Sequence, residues 1–288
     1  MTEDGNGNHP GIRAVEARKG MPGSGWLILL ALLFVSATFL AWYFTWFGRE
    51  LSDADITKYL NDVNNPRHVQ HALNQIQDRI ERRDASAKTW YPQLVTLSSN
   101  PETEFRLTVA WVMGHDNQSP EFHEALKKLV HDQEPLVRRN AALALVRFND
   151  ASGRNEVLSI LGPYPVRAPA SGVIVSSLKE DSEVTRTTLL ARIQEPDGRV
   201  IELRSPLPGR ISKILKTNGA QVLAGDEVMS LSSDEASVFQ ALRALTIIGR
   251  KDDVPVVQTY TSSSSKRISQ QADLTAKVLQ SRPGSTPQ

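Results

Sequence analysis

The sequence predicts a multi-domain chain that combines a single transmembrane helix, an α-helical solenoid of short repeats and an inserted all-β sandwich. Three observations lead to this fold class. An apolar segment lies near the N-terminus, prolines recur at spacings of 35 and 34 residues, and a strand-turn pattern occurs twice within residues 167–232. The length of 288 residues allows about two domains.

The composition narrows the classes of function. The formal net charge of +1 gives no electrostatic reason to expect a nucleic-acid partner. The absence of cysteine excludes disulfide bonds, thiolate catalysis and cysteine-based zinc sites. A cysteine-free chain also fits a bacterial periplasm.

Residues 25–48 are predicted to form the transmembrane helix. The stretch from Trp26 to Phe47 contains no charged residue. At about 1.5 Å per residue it extends about 33 Å, which is enough to cross a hydrocarbon core of about 30 Å. Aromatic residues crowd its C-terminal end, as in the belts at membrane interfaces. A cleaved signal peptide is the alternative, but its apolar region would be shorter and would end in small residues.

The charges around this segment predict its orientation. Arg13, Arg18 and Lys19 precede it, whereas Arg49 is followed by acidic residues. Because positive residues favour the cytoplasmic side, residues 1–24 are predicted to be a disordered cytoplasmic tail. The body would then lie in the periplasm, and the protein would be a single-pass protein of the bacterial inner membrane.

Residues 52–162 are predicted to form paired helices in a repeating array. Pro66, Pro101 and Pro135 each mark the start of an amphipathic helix, since proline suits the first helical turn. A period of this length with paired helices is typical of a solenoid. The segment 134–145 places small and apolar residues on one helical face and resembles the second helix of a HEAT repeat. The resemblance implies a module that binds macromolecules.

Residues 163–233 contain two copies of one short β-rich pattern. Pro169 precedes Gly172 by three residues, and Pro206 precedes Gly209 in the same way. A leucine follows each glycine by six positions, and a lysine follows each leucine. The pattern resembles the biotinyl/lipoyl domain, which also occurs in periplasmic adaptor proteins of the membrane-fusion family. The resemblance implies two interlocked halves that form a β-sandwich.

The same resemblance implies a test of chemistry. In biotin carriers, the modified lysine lies on the hairpin that joins the two halves. Here the aligned segment is 195–206, and Gly198 occupies the lysine position. Glycine has no amine for amide formation, and the Pro-Asp-Gly sequence that ends at this position is a turn signal. We therefore expect no biotin or lipoate, and modification would require another lysine of this region: Lys179, Lys213 or Lys216.

The helical pattern returns after the sandwich, in residues 234–281. Residues 155–161 look like the first helix of a repeat, and residues 234–245 look like its missing second helix. Removing about 65–70 residues restores the period, so we expect the sandwich to be inserted in the turn between these helices. Residues 282–288 are predicted to be a disordered tail.

No motif in the sequence indicates catalysis. The chain contains no nucleophile elbow, zincin, P-loop, dinucleotide-binding or haem-attachment motif. His68 and His71 are three residues apart, a spacing compatible with a metal, but no third ligand lies nearby in the sequence. A polar helix face is the favoured interpretation of this pair. We therefore expect a protein that is not an enzyme and that binds no cofactor, metal ion or small-molecule substrate.

Basic residues of the third repeat are the candidates for protein binding. They are Lys127, Lys128, Arg138 and Arg139. The two pairs would form a basic ridge, and an ordinary solvated helix face is the alternative. Three aromatic residues of the solenoid are expected in its core, and an exposed anchor for a partner is the alternative. These are Trp90, Tyr91 and Trp111.

Taken together, the modules predict a membrane-anchored periplasmic adaptor or scaffold that assembles other membrane or periplasmic proteins. The membrane-fusion resemblance implies a role in envelope transport or efflux. Those adaptors usually carry a long helical hairpin between the sandwich halves, whereas here the connection is a short turn. The alternative function is an accessory structural subunit of a respiratory or photosynthetic membrane complex.

Overall fold

The computed structural model describes residues 24–46 and 50–283, which fall into two units. The first contains helix α1 (Ser24–Trp46), whose side chains from Gly25 to Tyr43 are exposed. Within the described part of the chain, α1 is the one helix that is long and apolar enough to cross a membrane. Its length and composition fit a membrane anchor or a signal sequence. The predicted tail before Ser24 and the last two residues of the predicted span lie outside the described residues.

The second unit, from Leu51 onward, contains ten further α-helices among its described residues. In chain order these and two 3₁₀ helices are α2 (Asp53–Asn61), α3 (Pro66–Glu81), a 3₁₀ helix (Ala85–Trp90), α4 (Tyr91–Leu97), α5 (Thr103–Met113), α6 (Pro120–Leu129), α7 (Pro135–Arg147), α8 (Arg154–Ile160), α9 (Glu235–Ile248), a 3₁₀ helix (Lys251–Asp253), α10 (Val254–Gln258) and α11 (Lys266–Gln280).

These helices pack as consecutive pairs: α2 with α3, α4 with α5, α6 with α7, α8 with α9, and α10 with α11. The second helices of neighbouring pairs also pack side by side, from α3 through α5, α7 and α9 to α11. One apolar core runs through the whole array, from Leu51 to Leu279. Trp90 and Tyr91 belong to this core, as predicted. Each pair therefore buries its apolar face against its neighbours, as expected for a repeat array.

Three prolines were predicted to begin helices, and two of them do so. Pro66 and Pro135 occupy the first turns of α3 and α7. Pro101 does not, because α5 begins two residues later, at Thr103. The side-chain oxygen of Asn100 accepts a hydrogen bond from the Glu102 amide at 2.8 Å, and this local turn holds the proline outside the helix.

The loops that precede α5 and α7 share a set of contacts. The Asp132 carboxylate accepts a hydrogen bond from the Glu134 amide at 2.8 Å. One repeat earlier, the Asn100 side chain accepts the equivalent hydrogen bond from the Glu102 amide. Arg106 donates to the carbonyl groups of residues 100 and 101, and Arg138 donates to those of residues 132 and 133. Arg106 also binds both oxygens of Asp132, at 2.7 and 3.0 Å. The buried pair thus joins one repeat to the next.

The segment between α8 and α9 forms two small antiparallel sheets. Their strands are β1 (Tyr164–Arg167), β2 (Gly172–Val175), β3 (Glu183–Val184), β4 (Leu189–Gln194), β5 (Val200–Arg204), β6 (Gly209–Ile214), β7 (Gln221–Val222) and β8 (Glu227–Ser233). The strand orders are β1-β8-β6-β3 and β5-β4-β2-β7. Exchanging β1–β4 with β5–β8 converts one order into the other. The duplicated sequence is therefore a duplicated arrangement of strands, and the two sheets share one apolar core.

The repeated glycine of this pattern has a steric explanation. A Cβ on Gly172 would lie 2.3 Å from the carbonyl oxygen of Gln194, and a Cβ on Gly209 would lie 2.2 Å from that of Ser232. In both copies the glycine therefore admits the backbone of a neighbouring strand that a side chain would push away. The lipoyl-like identity of the sheets, and their insertion within one repeat, stay predictions.

The sheets also contact helices that lie far away in the sequence. The chain leaves α8 at Ile160 and returns at Glu235, and α8 packs directly against α9. Arg186, in the turn between β3 and β4, forms an ion pair with Glu104 in the first turn of α5. Beyond α11, residues 284–288 of the predicted C-terminal tail lie outside the described residues.

Candidate protein-binding groove

The structure separates the members of the predicted basic ridge. Lys127 and Lys128 are exposed in the last turn of α6, where the Lys127 ammonium lies 3.1 Å from Glu124. Arg138, at the start of α7, is half-buried and donates to Glu156 at 3.2 Å as well as to the loop carbonyls. Its hydrogen-bonding capacity is therefore largely used within the chain.

Arg139 is a buried residue and does not lie on an exposed basic ridge, in contrast to the position expected from the sequence. Only 4% of it is exposed. Its Nε lies 4.0 Å from Glu156, too far for a hydrogen bond, and one Nη lies 3.4 Å from the Ser233 hydroxyl. Burial lowers the pKa of Arg139, and Glu156 opposes this shift. The reason for its burial is that α7 is covered on several sides, by α5, α6, α8 and α9.

A different surface has the properties of a binding site. A groove of about 250 Å³ lies across the second helices α5, α7 and α9. The residues that line it include Trp111, Leu143, Arg147, Gln240, Arg243 and Ile247. Trp111 is 43% exposed and Ile247 is 51% exposed. Contiguous exposed apolar surface marks interaction sites, and tryptophan and arginine are enriched at the residues that dominate binding energy.

Trp111 is therefore exposed, which was the alternative interpretation, and does not lie in the core as predicted. Phe105, Val109 and Val112 mark the buried face of α5, and Trp111 falls on the opposite side of the helix. The Arg147 guanidinium lies over its ring, 5.9 Å from the centroid. Helical spacing from the buried residues could have revealed this position, since residues 105, 109 and 112 follow the three- and four-residue periodicity that Trp111 breaks.

The floor of the groove is formed by a close approach of α5 and α7. A Cβ on Gly114 would lie 2.9 Å from the Cβ of Ala144, so small residues on both sides permit this contact. Arg147 donates to the Gly114 carbonyl at 3.1 Å and so satisfies a free acceptor at the end of α5. The groove is thus built from the ends of two helices that are fixed to one another.

A second aromatic–arginine stack lies on the neighbouring helices. Phe239, on α9, lies beneath Arg267 of α11 at 3.8 Å and beneath Arg243 at 5.9 Å. Arginine favours such stacking because its guanidinium is planar and weakly hydrated. Among the described residues that line the groove, two are arginines and none is an aspartate or glutamate.

A half-buried histidine, His115, packs against the tryptophan. His115 packs edge-on against Trp111, with ring centroids 5.2 Å apart, and its Nδ1 lies 2.9 Å from Glu81. Burial lowers the pKa of His115, Arg147 lowers it further, and Glu81 opposes both. At neutral pH the positive charge of this surface therefore resides on the arginines.

The predicted absence of a metal site is compatible with the local geometry but is not tested by it. His68 stacks on Tyr59 at 4.3 Å and contacts Asp62 at 2.7 Å, whereas His71 contacts Gln75 at 3.1 Å. The two histidines therefore have separate partners. Within residues 24–46 and 50–283, no group of three or more His, Asp or Glu side chains is arranged to hold a metal ion.

Comparison with known families identifies the helical repeats. Residues 91–170 match the family model for HEAT repeats. The helical body contains HEAT repeats. The match begins at α4, runs through α5 to α8 and extends over β1, and it includes two of the three helices that line the groove, α5 and α7.

Whole-chain comparisons add little to this result. A search of curated proteins finds no match to the chain. Among solved structures, a single-chain, multi-domain long-chain acyl-CoA carboxylase is similar over 36% of this chain and 10% of its own, with 19% identity and a TM-score of 0.24. This chain thus spans about a tenth of that protein. A TM-score this low does not indicate a shared fold.

Proposed function

We propose that this protein is a membrane-anchored scaffold that binds a partner protein in the groove between α5, α7 and α9. The observation that carries the proposal is the exposure of Trp111 and Ile247 beside two arginines, on a helical array that contains HEAT repeats in residues 91–170. Repeat arrays present extended surfaces that recognise other proteins. An exposed aromatic residue beside arginine has the composition of an interaction hot spot.

The finer proposal is a periplasmic adaptor in an envelope transport assembly. It is supported by the basic residues that precede the apolar helix and by the resemblance of the duplicated β-segment to adaptor domains. A cysteine-free chain makes the topology easy to test. A single cysteine in place of the exposed Gln270 should react with a membrane-impermeant maleimide in spheroplasts, without permeabilisation. Reaction only after permeabilisation would place the body in the cytoplasm.

We also propose that the β-segment carries no prosthetic group. The turn at residues 195–199 closes with a hydrogen bond from the Gly198 amide to the Glu195 carbonyl at 3.0 Å, and Gly198 has a φ of +86°. A backbone with positive φ favours glycine, so the residue has a structural reason for its presence. Intact-mass spectrometry after co-expression with biotin and lipoyl ligases should give the unmodified mass. An added biotinyl or lipoyl group would refute the proposal.

The scaffold role is tested by crosslinking in native membranes. A photo-reactive amino acid at Gln240 would lie in the groove, and the same residue at Lys128 or Arg192 would probe exposed positions outside it. We expect a discrete crosslinked partner from the Gln240 position and not from the two controls. Crosslinks from Lys128 alone would favour the basic surface of α6 instead.

The partner's identity separates the two functions predicted from the sequence. A transporter component crosslinked at Gln240 would support the adaptor. A subunit of an electron-transfer complex would support the accessory structural role. The absence of any crosslink from the groove would contradict the proposed binding site.

A further inference from the structure

The cations beside the groove extend beyond it as a row. Arg147 lies in the last turn of α7, Arg243 lies within α9, and Arg267 lies in the first turn of α11. The three helices are consecutive neighbours in the array. Arg147 and Arg243 line the groove together, and Arg243 and Arg267 both lie over the ring of Phe239, so the three cations are linked in sequence along the surface. This is a surface suited to a short segment of polypeptide.

The acidic residues nearby do not neutralise this row. On α9, the Glu235 carboxylate accepts a hydrogen bond from Ser265 at 2.7 Å, at the start of the helix. On α11, Asp273 is exposed. Neither residue lines the groove. Among the described residues, Arg243 and Arg267 form no ion pair with a carboxylate, whereas Arg106 and Arg154 each bind an aspartate of this chain.

Each arginine of the row is held by an aromatic face rather than by a carboxylate. Stacking orients the guanidinium plane and leaves N–H groups at its edge available as donors. Such an edge binds a carboxylate with two parallel hydrogen bonds. The row is therefore preorganised for carboxylates, and little side-chain entropy is lost when they bind.

The volume and lining of the groove define the neighbouring subsite. About 250 Å³ between Trp111, Leu143 and Ile247 is slightly less than the usual size of a small-molecule pocket. It suits one apolar side chain of a bound segment. Anions alone would leave this apolar surface uncovered.

We propose that the groove binds a polypeptide segment in which carboxylates flank a large apolar side chain. The inference rests on the scaffold function proposed above and names the chemistry of its partner. The apolar side chain enters the subsite at Trp111, and the carboxylates bind Arg147, Arg243 and Arg267.

Synthetic peptides test this inference on the full-length protein in nonionic detergent. The probe is a fluorescein-labelled peptide with two glutamates on each side of one phenylalanine. Two matched peptides replace the glutamates with glutamine or the phenylalanine with serine. Fluorescence anisotropy should show binding of the first peptide, at least about tenfold weaker binding of each matched peptide, and weakening with added salt.

Protein variants locate the site. Arg243→Gln should weaken binding about tenfold, because one charge-assisted pair is lost while an exposed side chain is replaced. Lys128→Gln removes an exposed cation outside the groove and should leave affinity unchanged. Trp111→Ala should reduce the preference for phenylalanine over serine. Circular dichroism checks that each variant retains its fold.

Several outcomes would overturn the inference. Equal binding of the glutamate and glutamine peptides would show that carboxylates are not recognised. Equal weakening of peptide binding by Arg243→Gln and Lys128→Gln would indicate a diffuse charge effect. Binding of the protein to anionic vesicles but not to the glutamate–phenylalanine peptide would indicate the same. No binding at millimolar peptide would also overturn it. A partner crosslinked at Gln240 without any acidic preference would leave the scaffold proposal intact and refute only this one.

Discussion

Two tryptophan–arginine stacks in the helical body have opposite environments. Arg79 lies over Trp90 at 4.9 Å in the first repeats, and Arg147 lies over Trp111 at 5.9 Å in the groove. Trp90 is 1% exposed and donates to the Thr57 hydroxyl at 2.9 Å, whereas Trp111 is 43% exposed. The same pair of residue types is therefore buried in the core in one place and exposed at the groove in the other.

The arginines differ in the same way. Arg79 donates to Asp53 at 2.7 Å, to the Ser86 hydroxyl at 3.0 Å and to the Leu51 carbonyl at 3.3 Å. Arg147 donates to one carbonyl, that of Gly114. Hydrogen bonding within the chain, rather than charge itself, decides which cations are available to a partner.

The largest expected difference lies between the two tryptophans. Trp90→Ala should lower the free energy of unfolding by about 3–5 kcal/mol, because it leaves a large cavity in the core. Trp111→Ala should lower it by about 1 kcal/mol or less, because the side chain is half-exposed. Urea unfolding of the full chain in nonionic detergent, followed by far-ultraviolet circular dichroism, measures both. Similar losses would show that Trp111 is a structural residue.

The arginines should show a smaller difference of the same sign. Arg79→Ala removes donors from a carboxylate, a hydroxyl and a carbonyl, and should cost about 1.5–3 kcal/mol. Arg147→Ala should cost about 1 kcal/mol or less, because it removes one hydrogen bond and one stacking contact. The same unfolding assay compares them. A greater loss for Arg147 would mean that it mainly joins α5 to α7.

The histidine behind Trp111 makes part of the stability depend on pH. Its pKa is lowered below the ordinary value of 6.5 by burial and by Arg147. The unfolded chain therefore binds the proton first as the pH falls. Stability from neutral His115 is retained above about pH 6.5 and is lost as the pH falls from there through the folded-state pKa.

A matched variant isolates this contribution. His115→Gln has no titrating group at this position, so its free energy of unfolding should fall less than that of the wild type between about pH 7.5 and about pH 5.5. Other titrating groups are common to both proteins and cancel in the difference. Parallel curves would show that burial of His115 does not matter for stability in this range.

The sequence was sufficient where the signals are local. Proline in the first turn marks α3 and α7, although the same signal at Pro101 does not mark the start of α5. The repeated Pro-x-x-Gly pattern marks β2 and β6, where each glycine admits the backbone of a neighbouring strand. The helical spacing of the apolar residues in α5 could have predicted the exposure of Trp111. Arg139 offered no such signal, since its burial involves Ser233, which lies 94 residues further along the chain. Packing between distant segments decided its environment.

The smallest expected effect comes from Arg147→Lys. Lysine keeps the charge but lacks the planar guanidinium that stacks on Trp111, and it binds a carboxylate as a point charge. The free energy of unfolding should change by about 0.5 kcal/mol or less, since the position is exposed. Affinity for the glutamate–phenylalanine peptide should fall, but by less than in Arg147→Gln, which loses both charge and geometry. If lysine and glutamine weaken binding equally, the guanidinium geometry rather than the charge carries recognition. If Arg147→Lys destabilises the fold as much as Arg79→Ala does, the two stacks are equivalent and the groove arginine is structural.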